Sequence, residues 1–278
     1  MRIDHVALWI TDIERCKRFA ATIMACLLAG CATGIPGTAF PREESHAVSP
    51  HEGAFSRALV NGEANPKKSA FRMLSVGLDG LGRPEGYVAR QLDGWVRRWH
   101  AAQGGPEADE SAARMAPVLD WLGSHLPASR AVALLHNDYR LDNCLLDTAD
   151  PGHIVAVMDW DMCTQGDPLA DLGYVLNYWV EPGDNPEWRE IAAMPTWRDG
   201  FPSRAEAIDR YAARTGFDVA AIGWHQVFAA FKLAVIIQQI YIRFVRGQTQ
   251  DQRFRLYWRR VLGLAAKARL LAGLSSHA

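Results

Sequence analysis

Residues 134–147 read LLHNDYRLDNCLLD. Two leucine-rich flanks enclose His136, Asp138, Arg140, Asp142 and Asn143. Polar and charged groups are costly to bury unless they are paired or bound to a ligand. A chain that sets so many of them between apolar flanks is building a site. The flanks read as strands: AVALLH (131–136) is a short buried one, and NCLLD (143–147) and HIVAVMDWD (153–161) are two more, with Asp150-Pro151-Gly152 as the turn between them. The polar residues therefore fall on a loop that strands hold in place.

The spacing within the loop is specific. His136-x-Asp138 is followed by Asn143 five residues after the aspartate, and Asp159 ends the next strand but one. This is the H-x-D-x-x-x-x-N … D layout of a phosphoryl-transfer loop with its metal-binding segment. The chemistry explains the pattern. Phosphoryl transfer needs a carboxylate beside the acceptor hydroxyl, which Asp138 could supply. It needs a neutral oxygen ligand for Mg²⁺ (Asn143) and an anionic one (Asp159). Mg²⁺ takes few protein ligands and completes its shell with phosphate oxygens and water, so two residues suffice.

The match continues through VAVMDWDMCTQGDPLADLGYVLNYW (155–179), where Asp167 caps a helix and Pro168 opens it. Residues 134–179 closely resemble the aminoglycoside phosphotransferase family, a neighbour of choline kinase. They are most similar to the branch whose kinase-like domain stands beside acyl-CoA dehydrogenases. GLGRPEGYVARQLDGWVRRWHAA (80–102) also resembles that branch, and the resemblance runs roughly over residues 76–275. It implies an α+β, mainly helical, protein-kinase-like C-terminal lobe with a short β-hairpin region, using ATP as co-substrate with Mg²⁺ and acting on a small-molecule hydroxyl. It implies that Asp138 is the catalytic base or acceptor-orienting group, and that Asn143 and Asp159 bind Mg²⁺ and with it the nucleotide. His136 and Arg140 join the catalytic set, Arg140 orienting the loop or a phosphate, and Asp167 and Asp171 brace the loop and helix. Two positions depart from the family. His-Asn-Asp stands where His-Gly-Asp is usual, so Asn137 must accept the backbone geometry of a glycine, and Asn is among the residues most tolerant of left-handed backbone. Asp161 stands where many relatives carry Glu.

Around this centre the chain is mostly helical. Pro84 opens a helix whose apolar Tyr87, Val88, Leu92, Trp95, Val96 and Trp99 recur at helical spacing. Residues 111–127 form a second helix, bent or begun at Pro117. SRAEAIDRYAARTG (203–216) is amphipathic and stops at Gly216. Residues 218–247 are apolar all round, the mark of a core helix, and residues 251–273 close the chain as a final helix. His225 and the tryptophans 95, 99 and 121 read as core. Arg255, Arg259 and Arg260 read as a solvated face, and Glu181, Asp184 and Glu187 as a solvated loop.

The residues before 76 read differently. MRIDHVALWITDIERCKRF (1–19) resembles the opening strand and helix of the glyoxalase/vicinal oxygen chelate family, in which the position of His5 can bind a metal. One His makes no metal site. Residues 19–34 pair an apolar run with Leu28-Ala29-Gly30-Cys31, like a bacterial lipoprotein signal, although Asp4, Asp12 and Glu14 do not suit one. Residues 1–34 are thus an atypical N-terminal segment, 35–75 a Pro-, Gly- and Ser-rich linker, and 76–278 the kinase-like lobe. The phosphate-covering loop and strand lysine of a kinase N-lobe are not recognisable here, since Lys67 and Lys68 lie in polar sequence. The N-lobe is missing or atypical.

Composition narrows the function. Hydrophobic residues make up 49% and charged residues 22%, as in ordinary globular proteins. A net charge of -1 gives no electrostatic case for nucleic acid or an anionic membrane surface, and neither is expected as a partner. No apolar run reaches the ~18 residues of a membrane span. Five cysteines without a C-x-x-C pair suit reduced thiols in the cytoplasm. Three readings stand: an ATP- and Mg²⁺-dependent phosphotransferase, a non-catalytic kinase lobe or scaffold, and an exported lipoprotein. Acceptor and oligomeric state leave no sequence signal.

Overall fold

The computed structural model describes residues 82–146, 154–191 and 194–274. The expectations for residues 1–75, including His5, Cys31 and the linker, and for the turn at Asp150-Pro151-Gly152 lie outside the described residues. The chain divides into two compact units, one holding Arg130–Asp171 and Pro195–Val219, the other Gly86–Ser129, Leu172–Met194 and the stretch from Ala220 onward.

The second unit is helical. Helix α1 (Tyr87–Ala101) buries Tyr87, Val88, Leu92, Trp95 and Trp99 along one face. Its start is a correction to the sequence reading. Gly86 precedes it in a left-handed conformation (φ 62°), so the helix begins three residues after Pro84. Helix α2 (Ala108–Ser124) carries Asp109 and Glu110 in its first turn, where carboxylates favour the positive end of the helix dipole. Pro117 lies inside α2 and does not begin it; burial of Met115, Val118 and Leu122 offsets the lost hydrogen bond.

Helix α6 (Ile222–Val245) is the centre of this unit. By length and composition it could cross a membrane, which corrects the expectation that no run is long enough, yet most of it is buried inside the fold, as a core helix is. Trp99 meets Phe231 edge-on at 6.3 Å, and Trp224 stacks on Phe228 at 5.1 Å. Trp224 Nε1 donates to the Leu122 carbonyl at 3.0 Å, and Gln238 Nε2 donates to that of Ala102 at 3.0 Å. Two buried lysines are accommodated by aromatic faces. Lys232 lies 4.5 Å from the Tyr174 ring centroid and 5.5 Å from that of Trp95. Lys267, on α7 (Tyr257–Leu271), donates to the Asn177 carbonyl at 2.5 Å and lies over Trp188. Trp188 belongs to a short helix, α4 (Glu187–Ile191), where the sequence suggested only a loop.

The first unit holds the strands. β1 (Ala133–Leu135) pairs antiparallel with β4 (Thr164–Gly166), Leu134 opposite Gln165. β2 (Cys144–Leu146) and β3 (Ile154–Val157) form the expected antiparallel hairpin, with Leu145 opposite Ala156 and an irregularity between Leu145 and Leu146. β4 was not anticipated: Thr-Gln-Gly has neither alternation nor β-branched runs, and only its pairing with β1 makes it a strand. Helix α3 (Leu169–Tyr178) follows β4. Helix α5 (Arg204–Thr215) is bounded by a capping box of Ser203 and Glu206 and by left-handed Gly216.

Candidate active site

β1 ends at Leu135, which is fully buried, and the polar loop begins at the next residue. Asp171, in the first turn of α3, holds that beginning. Its Oδ2 accepts from the His136 N–H at 2.6 Å and its Oδ1 from the Asn137 N–H at 2.7 Å. Two adjacent N–H groups aimed at one carboxylate require a sharp turn, and Asn137 makes it with φ 65°. The Asn137 side chain then donates to the Met162 carbonyl at 2.8 Å. The left-handed geometry anticipated at Asn137 is thus present. Asp167 Oδ1 accepts from the Leu169 N–H at 2.9 Å and caps α3, so both aspartates brace the loop and helix.

His136 is buried, and both its ring nitrogens are occupied. Nδ1 accepts from the Asp138 N–H at 3.2 Å, which assigns the proton to Nε2, and Nε2 donates to the Met158 carbonyl at 2.7 Å. The Trp160 ring packs against the imidazole at 4.5 Å. His136 ties the loop to the segment that carries Asp159.

Asp138 is clasped from two sides. Arg140 meets it through Nε–Oδ1 at 3.2 Å and Nη2–Oδ2 at 3.3 Å, while Arg140 Nη1 reaches Asp142 Oδ2 at 3.4 Å. Asn143 Nδ2 donates to the Asp138 carbonyl at 2.7 Å and to its Oδ2 at 3.3 Å. Asn143 closes a 3₁₀ turn (Leu141–Asn143), and its amide nitrogen is committed to Asp138, so of its amide atoms Oδ1 is the one that could serve a metal. The Asn143 carbonyl accepts from the Met158 N–H at 2.8 Å. Asp159 follows immediately, exposed and left-handed (φ 62°). The backbone bond between Asn143 and Met158 is what brings the loop and the Asp159 segment side by side.

Among the described residues no group of three or more His, Cys, Asp or Glu could hold a metal. A site built on Cys or His is therefore not offered here. The Asn143 amide oxygen and the exposed Asp159 carboxylate are oxygen donors of the kind Mg²⁺ takes alongside phosphate and water, so their chemistry would fit that ion. Burial pushes the Cys163 thiol up, and Asp161 adds to the effect against a backbone hydrogen bond, which disfavours the thiolate at that position.

Sequence reasoning missed a further feature. Leu145, Met158 and Met162 are exposed apolar side chains around this loop. Leu145 lies opposite Ala156 on the hairpin, and Met158 stands two residues beyond Ala156 along the chain. The period of two within NCLLD holds the only signal of it, since Cys144 and Leu146 flank Leu145 and face the other way.

The chain is similar to known proteins over much of its length. The model of the phosphotransferase enzyme family matches residues 27–223. That match starts about fifty residues ahead of the point at which the sequence motifs become recognisable. Acyl-CoA dehydrogenase family member 10 of Mus musculus is 30% identical over 63% of this chain and 16% of its own length. Acyl-CoA dehydrogenase family member 11 of Rattus norvegicus is 31% identical over 64% of this chain and 22% of its own length. The chain thus spans a small part of these relatives. A crystal structure from Ralstonia eutropha, assigned as an aminoglycoside phosphotransferase, superposes with a TM-score of 0.63 at 26% identity, covering 87% of this chain and 72% of that one.

Proposed function

The chain belongs to the phosphotransferase enzyme family, and from that premise we propose that it transfers the γ-phosphoryl group of ATP, with Mg²⁺, to a hydroxyl of a small molecule. The observation that carries this reading is the Asp138–Asn143 contact beside Asp159, with the Met158–Asn143 bond at 2.8 Å joining the two segments. Asp138 orients the acceptor hydroxyl and takes its proton. Asn143 Oδ1 and the Asp159 carboxylate would hold Mg²⁺, which when bound neutralises charge on the phosphate oxygens. His136 and Arg140 act as positioning residues: His136 fixes the loop to the Asp159 segment, and Arg140 fixes the Asp138 rotamer. The exposed face of Leu145 and Met158 suits the flat apolar surface of a nucleotide base. A hydroxyl compound free in the cytoplasm is the acceptor class that fits this reading.

Calorimetry on the full chain tests it. Mg·ATP binds the native protein, and Asp159→Asn loses the Mg²⁺ dependence of that binding. Asp138→Asn keeps nucleotide affinity but lowers phosphate transfer about 100-fold or more, the usual weight of a general base. A native protein that binds no nucleotide in the presence of Mg²⁺ would overturn the proposal.

A second reading, a non-catalytic kinase lobe, draws on one observation: Arg140 already engages both oxygens of Asp138. Phosphate transfer that disappears in Asp138→Asn removes this alternative.

A further inference from the structure

Residues 243–260 read RFVRGQTQDQRFRLYWRR and hold six arginines against a single acid, Asp251, in a chain whose net charge is -1. The whole-chain balance averages this corner away. It comprises the last turn of α6, the reversal after it, a 3₁₀ turn (Gln252–Leu256) and the first turn of α7, all in one unit. Asp251 is committed to Arg253, with Nε–Oδ1 at 3.0 Å and Nη2–Oδ2 at 2.6 Å. Among the described residues no carboxylate is paired with Arg243, Arg246, Arg255, Arg259 or Arg260. All but Arg260 are exposed.

Aromatic and aliphatic groups are interleaved with these charges. Arg259 lies 5.3 Å from the Trp258 ring centroid, Arg260 4.9 Å from that of Tyr257 and Arg253 6.0 Å from that of Phe254. Val245 is 40% exposed and Leu256 49% exposed. Neither serves the core.

We propose that this corner docks on an anionic phospholipid bilayer. Charge complementarity names the sign of the partner, and the rest of the surface names its kind. Guanidinium groups attract acidic headgroups, while half-buried Trp and Tyr with exposed aliphatic tips suit the boundary between headgroup and acyl chain. A nucleic acid would need open ring faces for stacking. Here each ring already carries a guanidinium, and those of Arg259 and Arg260, which no carboxylate engages among the described residues, are of the kind that pairs with phosphate. The corner shares no residue with the loop of residues 136–143, and its test does not depend on phosphoryl transfer.

The test is co-sedimentation of the full chain with phosphatidylcholine vesicles, with and without phosphatidylserine. The native protein binds only the phosphatidylserine vesicles, and added salt releases it. Each arginine removed near such a surface weakens partitioning about fivefold, so Arg255→Glu with Arg259→Glu lowers it by about twentyfold or more. Leu256→Asp weakens it as well. Arg114→Glu, on an exposed arginine of α2 paired with Glu110, leaves it unchanged. Circular dichroism melts matching the native protein show that each variant folds. Equal binding to both kinds of vesicle, no binding to either, native-like binding by the double variant, or binding to single-stranded RNA in place of vesicles overturns the proposal.

Discussion

Asn137 illustrates how much one side chain can settle. Left-handed backbone costs an L-residue about 1–2 kcal/mol, and here the two bonds to Asp171 and the Asn137–Met162 bond stand against that cost. Asn137→Gly removes the strain together with one hydrogen bond and should change stability by less than about 1 kcal/mol. Asn137→Val keeps the strain, adds β-branching and loses the bond, for a loss of about 2–3 kcal/mol. Urea unfolding separates the two variants, and equal midpoints would show that φ 65° is not required. The left-handed position was legible in the sequence because Asn stands where the family resemblance expects Gly. The Arg140 fork was not. Its reach to both Asp138 and Asp142 depends on rotamers that the order of residues does not specify. His136 likewise stood in the sequence as a catalytic candidate, and only the fates of its two nitrogens reveal a tie between segments.

At the scale of elements, close approach decides what the helices tolerate. Gly173 of α3 faces α6 so closely that a Cβ would lie 2.8 Å from His225 backbone and Cβ atoms. Gly173→Ala should therefore cost about 1–3 kcal/mol, as overpacking does, with a matching fall in thermal midpoint. Nothing about Gly173 in DPLADLGYVLNYW marks it as a contact point. His225 is buried there as the core histidine that its apolar surroundings indicated. A second tie joins α6 to the entry of α2: the Tyr241 hydroxyl donates to Glu107 Oε2 at 2.5 Å. Burial first, and then the Glu107 hydrogen bond and charge, push the Tyr241 hydroxyl up to about 12 from 10. The folded state therefore prefers the protonated phenol. Its contribution is complete below pH 10, because neither state is ionised there. It is lost between pH 10 and about 12, where the unfolded chain releases the proton first. Stability measured across that window should fall less steeply for Tyr241→Phe than for the native protein, and identical slopes would dismiss the tie. Caps were easier to read. The terminal Gly216 marks the end of α5 in sequence, because capping is satisfied within a few residues, and the structure adds the Ser203–Glu206 capping box at its start. Pro84 misled for the converse reason: Gly86 supplies a turn that delays the helix.

For the whole molecule, the proposed activity predicts linkage. A ligand that binds only the folded state at about 100 times its Kd stabilises by about 2.7 kcal/mol. Mg·ATP should therefore raise the thermal midpoint of the native chain, with a smaller rise in Asp159→Asn. An equal rise in both would argue against a role for Asp159 in holding the nucleotide. The order of chemistry-bearing residues, the faces of α1 and α6, the cap of α3, the end of α5 and the β2–β3 hairpin all follow from the sequence by itself. Each obeys a rule of short range: a period of 3.6 or 2, a cap within one turn, a spacing along one loop. The partner of β1, the grip of Asp171 on His136 and Asn137 and the split engagement of Arg140 were decided by the tertiary structure. These unite atoms that lie far apart along the chain or depend on rotamers, and they form only when packing elsewhere has already closed the intervening chain.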